Sequence, residues 1–140
     1  MSKPIGFAEI EVGDAIRDLT KPAITPLQLA LFAAASADHN PIHVDEQAAK
    51  GGGLPGVIAH GMLTMAFLGQ LLTRWVPQRQ IRHLSARFSA MAFPGDVITC
   101  RGVVTAKRVE GGESLVDLDL SAINQNGQQT LVGQATVALP

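Results

Sequence analysis

The chain has 140 residues, 46% of them apolar and 16% charged, and its formal net charge is −1. That length suits one domain, and that balance supplies a core and excludes a disordered chain. The Lys and Arg residues are scattered rather than massed, which excludes the basic stripe of a nucleic-acid binder and the polybasic run of a membrane-surface protein.

The first residues, Met1-Ser2-Lys3-Pro4-Ile5-Gly6, lack the apolar run of a secretory signal. Cys100 is the single cysteine, which points to a reducing compartment and a cytoplasmic protein. Residues 5–24 carry two short apolar segments around the turn-like pair Gly13-Asp14. A helix is expected from Pro26, with Thr25 as N-cap and Pro26 at the first helical position. It should stop near Asp38, because Asn40 precedes Pro41 and is driven out of the α region. A shorter helix is expected from about Asp45 to Lys50, closed by Gly51-Gly52-Gly53.

From Gly61 to Val76 the residues Met62, Leu63, Met65, Ala66, Phe67, Leu68, Leu71, Leu72 and Trp75 are apolar on nearly every side of a helix. Such a helix is buried, and something must wrap around it. Thr64, Gln70, Thr73 and Arg74 interrupt it, and it falls short of a membrane span of ~20 residues. Four strands are expected to do the wrapping: Ile81 to Phe93, Val97 to Val109, a period-two stretch through Val116, Leu118, Leu120 and Ala122, and Thr130 to Leu139. Pro94-Gly95, Gly111-Gly112 and Asn126-Gly127 punctuate them as turns. The expectation is one α+β domain over residues 1–140, a meander of antiparallel strands curved around a central helix.

Two segments carry chemistry. In Asp38-His39-Asn40-Pro41-Ile42-His43 an acid and an imidazole flank a bend imposed by proline, which can turn both side chains into one space. A carboxylate beside a histidine suits general acid–base work on a bound water. The plainer alternative is that Asp38 ends a helix and His43 lies on the surface. In Gly53-Leu54-Pro55-Gly56-Val57-Ile58-Ala59-His60-Gly61-Met62, Gly61 opens the central helix. Free N–H groups there can bind an oxyanion such as a polarised thioester carbonyl, unless Gly61 and His60 only shape a tight helix entry. His60 reads as a hydrogen-bonded structural histidine, and Asn40, His60 and Met62 are further candidates for substrate contact. His39 and His83 have no ligand partner at metal spacing, so no metal site is expected. Cys100 reads as a core residue, and no serine-nucleophile elbow is present. Arg74, Arg79, Arg82 and Arg87 could meet a phosphate-bearing group, though most should be solvated.

Ala35-Ser36-Ala37-Asp38-His39-Asn40-Pro41-Ile42-His43, Ala59-His60-Gly61-Met62-Leu63, Arg87-Phe88 and Phe93-Pro94-Gly95-Asp96 follow one another in that order. Together they resemble the MaoC-like hydratases and dehydratases, the (R)-specific enoyl-CoA hydratases. The resemblance implies a hot-dog fold, an antiparallel sheet curled round one long helix, and a homodimer or higher homo-oligomer whose active sites lie near the subunit interface. It implies catalysis by Asp38 and His43, with the amide of Gly61 binding the substrate carbonyl. Some relatives carry a serine near the aspartate where this chain has Gly69.

The reaction so implied is hydration of a trans-2-enoyl thioester, acyl-CoA or acyl carrier protein, to the (R)-3-hydroxyacyl thioester. It needs no cofactor, since CoA is part of the substrate, and neither nucleic acid nor membrane. Two other readings are a hot-dog thioesterase and the catalytic subunit of a heteromeric hydroxyacyl dehydratase.

Overall fold

The computed structural model describes residues 5–140; Met1 to Pro4 of the leading segment lie outside the described residues. Two 3₁₀ turns, Phe7–Glu9 and Pro41–His43, precede the central helix, and a third, Gln78–Gln80, follows it. The regular elements are β1 (Leu19–Thr20), α1 (Pro26–Ser36), α2 (Glu46–Gly51), α3 (Gly61–Trp75), β2 (Ile81–Phe88), β3 (Thr99–Glu110), β4 (Glu113–Ile123) and β5 (Gln129–Ala138).

The local chemistry explains the boundaries. Thr25 Oγ1 accepts from the Gln28 N–H at 3.1 Å and Pro26 sits at the first helical position, so α1 begins where the cap requires. Asp45 Oδ1 accepts from the amides of Gln47 and Ala48 and starts α2 in the same way. The β3–β4 hairpin closes at the pair Glu110 and Glu113 across Gly111 and Gly112, both at positive φ (60° and 77°). That is the backbone a two-residue turn needs to match the strand twist.

The sheet is antiparallel throughout, in the order β1-β3-β4-β5-β2. The expected meander holds for β3 to β5. It fails for β2, which pairs with β5 and lies at the opposite edge from β1. The expected strand of residues 81–93 also ends early, at Phe88. Beyond it the chain peels away: Ser89 N–H still bonds Thr130 O at 2.9 Å, but Ala92 O instead accepts from Ala59, in the segment that enters α3. The connection 89–98 then crosses to the other edge. Asp96, buried, pins it by accepting from the amide of Phe93 and the side chain of Gln125.

The sheet curls over one side of α3. Leu63, Phe67, Leu68, Leu71 and Leu72 point into it and meet Val104, Val116, Leu118, Leu120, Leu131, Ala135 and Val137 from the strands. Each such aliphatic side chain contributes roughly 1.5–3 kcal/mol on burial. Gly133 lets the layers close, because a Cβ there would sit 2.6 Å from Ser85 O and 3.4 Å from Leu68 Cδ1. The wrapping is not complete. Met62, Ala66, Gln70 and Thr73 form an exposed stripe along α3, with Met62 58% exposed. A half-barrel of five strands covers one side of the helix, so the apolar residues of the other side have no cover from the described residues of this chain.

Candidate active site

The site lies where α1 ends and α3 begins. Ser36 Oγ donates to Phe32 O at 2.7 Å and accepts from Asp38 N–H at 3.3 Å. Between them Ala37 adopts the left-handed conformation (φ 59°, ψ 19°), which costs a non-glycine residue about 1 kcal/mol and reverses the chain. Asp38 Oδ1 then accepts from the Asn40 amide and Asn40 Oδ1 from the Ile42 amide, each at 3.3 Å. These bonds and Pro41 wind the turn Pro41–His43. The bend expected from Pro41 therefore exists as a capped 3₁₀ turn, and the oxygen of Asn40 is occupied in making it.

The turn directs His43 inward, where it is only 7% exposed. Its Nδ1 lies 2.7 Å from Ile58 O. A carbonyl only accepts, so Nδ1 carries the proton and Nε2 points at Asp38, 3.7 Å from Oδ2. The Asp38 side chain is 51% exposed. One member of the pair is thus fixed in the protein and the other faces solvent. At 3.7 Å the two do not bond each other directly, yet one oxygen at ~2.8 Å could hydrogen-bond both.

His60 lies behind this pair. It is 1% exposed, its ring stacks on that of His43 with centroids 3.8 Å apart, and it makes an edge contact with Phe32 at 4.9 Å. His60 Nε2 donates to Asp38 O at 3.2 Å. The expected structural histidine is thereby found, but half satisfied: Nδ1 is buried and has no hydrogen-bond partner. Burial holds the His60 pKa below its ordinary value, and the neighbouring His43 adds to the depression; the bond to Asp38 O and the Asp38 charge oppose it.

Asp38, His43 and His60 bring ligand-type atoms within 4.8 Å of one another. The rings are only 26° from parallel, so their lone pairs lie in adjacent planes.

Gly61 opens α3 immediately after His60. Its N–H, like the others of a first helical turn, has no carbonyl within the helix to bond, while Thr64 Oγ1 donates to its carbonyl at 2.8 Å. Phe88 lies over it: a Cβ at Gly61 would sit 2.8 Å from Phe88 Cε1. Met62 is beside it on the exposed stripe. At Gly69, a Cβ would meet Leu84 Cδ2 at 3.9 Å outside its own helix. Of the four arginines considered for a phosphate-bearing group, Arg82 is committed to Glu113 through Nε and Nη2, which raises its pKa, whereas Arg74, Arg79 and Arg87 have no carboxylate partner among the described residues. Cys100 is fully buried and its thiol is pushed up to about 12 by that burial, which removes it as a nucleophile.

Sequence reasoning paired Asp38 with His43 across a bend and put Gly61 at the start of α3; the structure has Asp38 and His43 3.7 Å apart, beside the His60 that precedes Gly61. It missed the His43–His60 stack, the Phe32 edge and the Phe88 cover. The pair Arg87-Phe88 stood out as a motif, but nothing in its residue types indicated a contact with Gly61. Concavities of about 630 Å³ on the outer sheet face and about 620 Å³ beside Arg17, Arg74 and Trp75 include none of the site residues.

Residues 9–126 match a family profile described as MaoC like domain. A protein of Aeromonas caviae named (R)-specific enoyl-CoA hydratase is 33% identical over 133 residues, spanning 94% of this chain and 96% of that one. The solved (R)-hydratase of A. caviae superposes with a TM-score of 0.81 at 31% identity, covering 94% and 98% of the two chains. R-hydratase PhaJ1 of Pseudomonas aeruginosa, unliganded, superposes at 0.85 with 30% identity, covering 98% of this chain and 86% of that one. Curled sheet and central helix together are the hot-dog fold of these neighbours. The chain belongs to the MaoC-like domain family.

Proposed function

We propose that the chain is a hydro-lyase that interconverts trans-2-enoyl thioesters and (R)-3-hydroxyacyl thioesters, with acyl-CoA as substrate. The observation that carries this reading is the placement of Asp38 Oδ2 3.7 Å from His43 Nε2, at the end of α3 that presents the Gly61 amide.

In the hydration direction, water held by His43 Nε2 loses a proton to Asp38 as its oxygen bonds to C3 of the enoyl group. Charge moves to the thioester oxygen, where the N–H of Gly61 donates to it. The proton returns through the same pair to C2, and the thioester carbonyl re-forms. Base and oxyanion donor each contribute about two to four orders of magnitude in rate in such reactions. The chemistry asks for a base, an acid and an amide, and for no resident cofactor, CoA being part of the substrate.

The reading extends to a homodimer of single-domain chains spanning residues 1–140. Strand β2 bonds only β5, which leaves its other edge open among the described residues. An open edge is a template for a second strand. Met62, Phe88 and Met91 are exposed beside it and beside the site, and a second copy would cover them and help enclose an acyl chain. Among the described residues no helix is long and apolar enough to cross a membrane, and the single, buried, unpaired cysteine suits the cytoplasm.

Crotonyl-CoA incubated with the protein should lose its enoyl-thioester absorbance. Release of free CoA thiol with the double bond intact would replace this reading with a thioesterase.

A further inference from the structure

His60 is buried more completely than either member of the pair it backs. Its side chain touches both members of that pair. Nε2 donates to the backbone oxygen of Asp38, and the ring lies face to face with His43. Phe32 meets it in an edge contact, with centroids 4.9 Å apart.

We propose that His60 is a positioning residue, whose ring holds the main chain of Asp38 and supports the ring of His43 so that these two residues alone exchange the proton. The proposal rests on the hydratase reading and adds a residue to it.

Backbone acceptors settle the proton accounting of the two rings. Because Asp38 O can only accept, His60 carries its proton on Nε2. Because Ile58 O can only accept, His43 carries its own on Nδ1. Two carbonyls therefore fix two tautomers: His43 Nε2 keeps its lone pair 3.7 Å from the carboxylate, and the lone pair of His60 Nδ1 is buried with no hydrogen-bond partner. Charging His60 would add a proton at Nδ1, where no described atom accepts it, and would place a cation against His43. The titratable groups facing His60 are Asp38 and His43. The depressed pKa of His60 agrees with that accounting. Its buried ring can thus support a positive charge arriving on His43 without competing for the proton.

Two variants separate the contacts. His60→Gln keeps a side-chain N–H that can reach Asp38 O and loses the stacked ring. His60→Phe keeps the ring and loses the donor. In crotonyl-CoA hydration each should lower kcat by about 10- to 100-fold, the cost of loosening a reacting group by a fraction of an ångström. KM should change by less than about threefold, because a ring only 1% exposed has almost no surface to offer a substrate. Turnover within about twofold of wild type in both variants, or a loss confined to KM, overturns the proposal.

Nitrogen NMR of the imidazoles in unsubstituted protein provides a readout that needs neither activity nor a folded variant. It should show His60 protonated on Nε2 alone and His43 on Nδ1 alone at neutral pH. A proton on His60 Nδ1 overturns the proposal whatever the kinetics. Wild-type protein inert towards enoyl thioesters would sink the hydratase reading, while the tautomers would still decide the position and role of His60.

Discussion

Phe88 lies directly over Gly61, so close that a Cβ on the glycine would stand 2.8 Å from Cε1 of the ring. The two residues come from different elements, the start of α3 and the end of β2, and their contact shapes the approach to the first N–H groups of the helix. Gly61→Ala should therefore fold, because Phe88 is 51% exposed and can swing aside, yet hydrate about 10- to 100-fold more slowly. Adding Phe88→Ala removes the clash but not the methyl group. If activity stays low in the double variant, the methyl group obstructs the amide; full recovery would show that ring displacement alone was at fault.

Asp38→Asn and His43→Gln should each remove about 10²- to 10⁴-fold of kcat. Their combination should cost little more than the worse single variant, because groups acting as a unit are not additive. Steady-state kinetics on the two singles and the double check this, with circular dichroism confirming the fold. Turnover above a tenth of wild type in both singles would contradict the assignment.

The depressed His60 pKa gives the protein a pH dependence of known sign. The folded state holds His60 neutral below the pH at which an unfolded chain, near 6.5, already takes up its proton. Between those two values the unfolded state binds more protons, so stability falls with acidity. Urea denaturation at about pH 8 and about pH 5 should show wild type losing more stability than His60→Phe, which lacks the titrating group. An unchanged difference between the two proteins would contradict the burial of a neutral ring.

Cys100 has no exposed surface and its thiol is raised to about 12 by burial. Thiol alkylation at neutral pH should be slow in the folded protein and should accelerate by orders of magnitude in denaturant. Mass spectrometry at intervals follows it. Rapid labelling of native protein would place Cys100 outside the core.

Local rules carried much of this structure in the sequence. Thr25 and Pro26 started α1, Gly111-Gly112 turned a hairpin, and the alternation through Val116 and Leu120 marked the inner and outer faces of β4. The bend at Pro41 allowed Asp38 and His43 to be a pair, and the family resemblance decided for it over a helix end and a surface histidine. What was illegible is non-local. No residue in Ile81–Phe88 indicates that it pairs with the last strand rather than with its neighbour in sequence, since antiparallel registers on either side bury the same Leu84 and Ala86. The apolar residues around α3 suggested complete burial, whereas the half-barrel leaves a stripe through Met62 and Ala66 uncovered. The stack of His60 on His43 depends on Ile58 and Asp38 offering carbonyls at the right places, and backbone acceptors have no signature in residue type.

The most direct test of the central claim is the stereochemistry of the product. Protein incubated with crotonyl-CoA should yield 3-hydroxybutyryl-CoA of the (R) configuration, with the reverse dehydration accepting that enantiomer alone and both directions lost together in Asp38→Asn. An (S) product, or hydration that survives Asp38→Asn, would contradict the account.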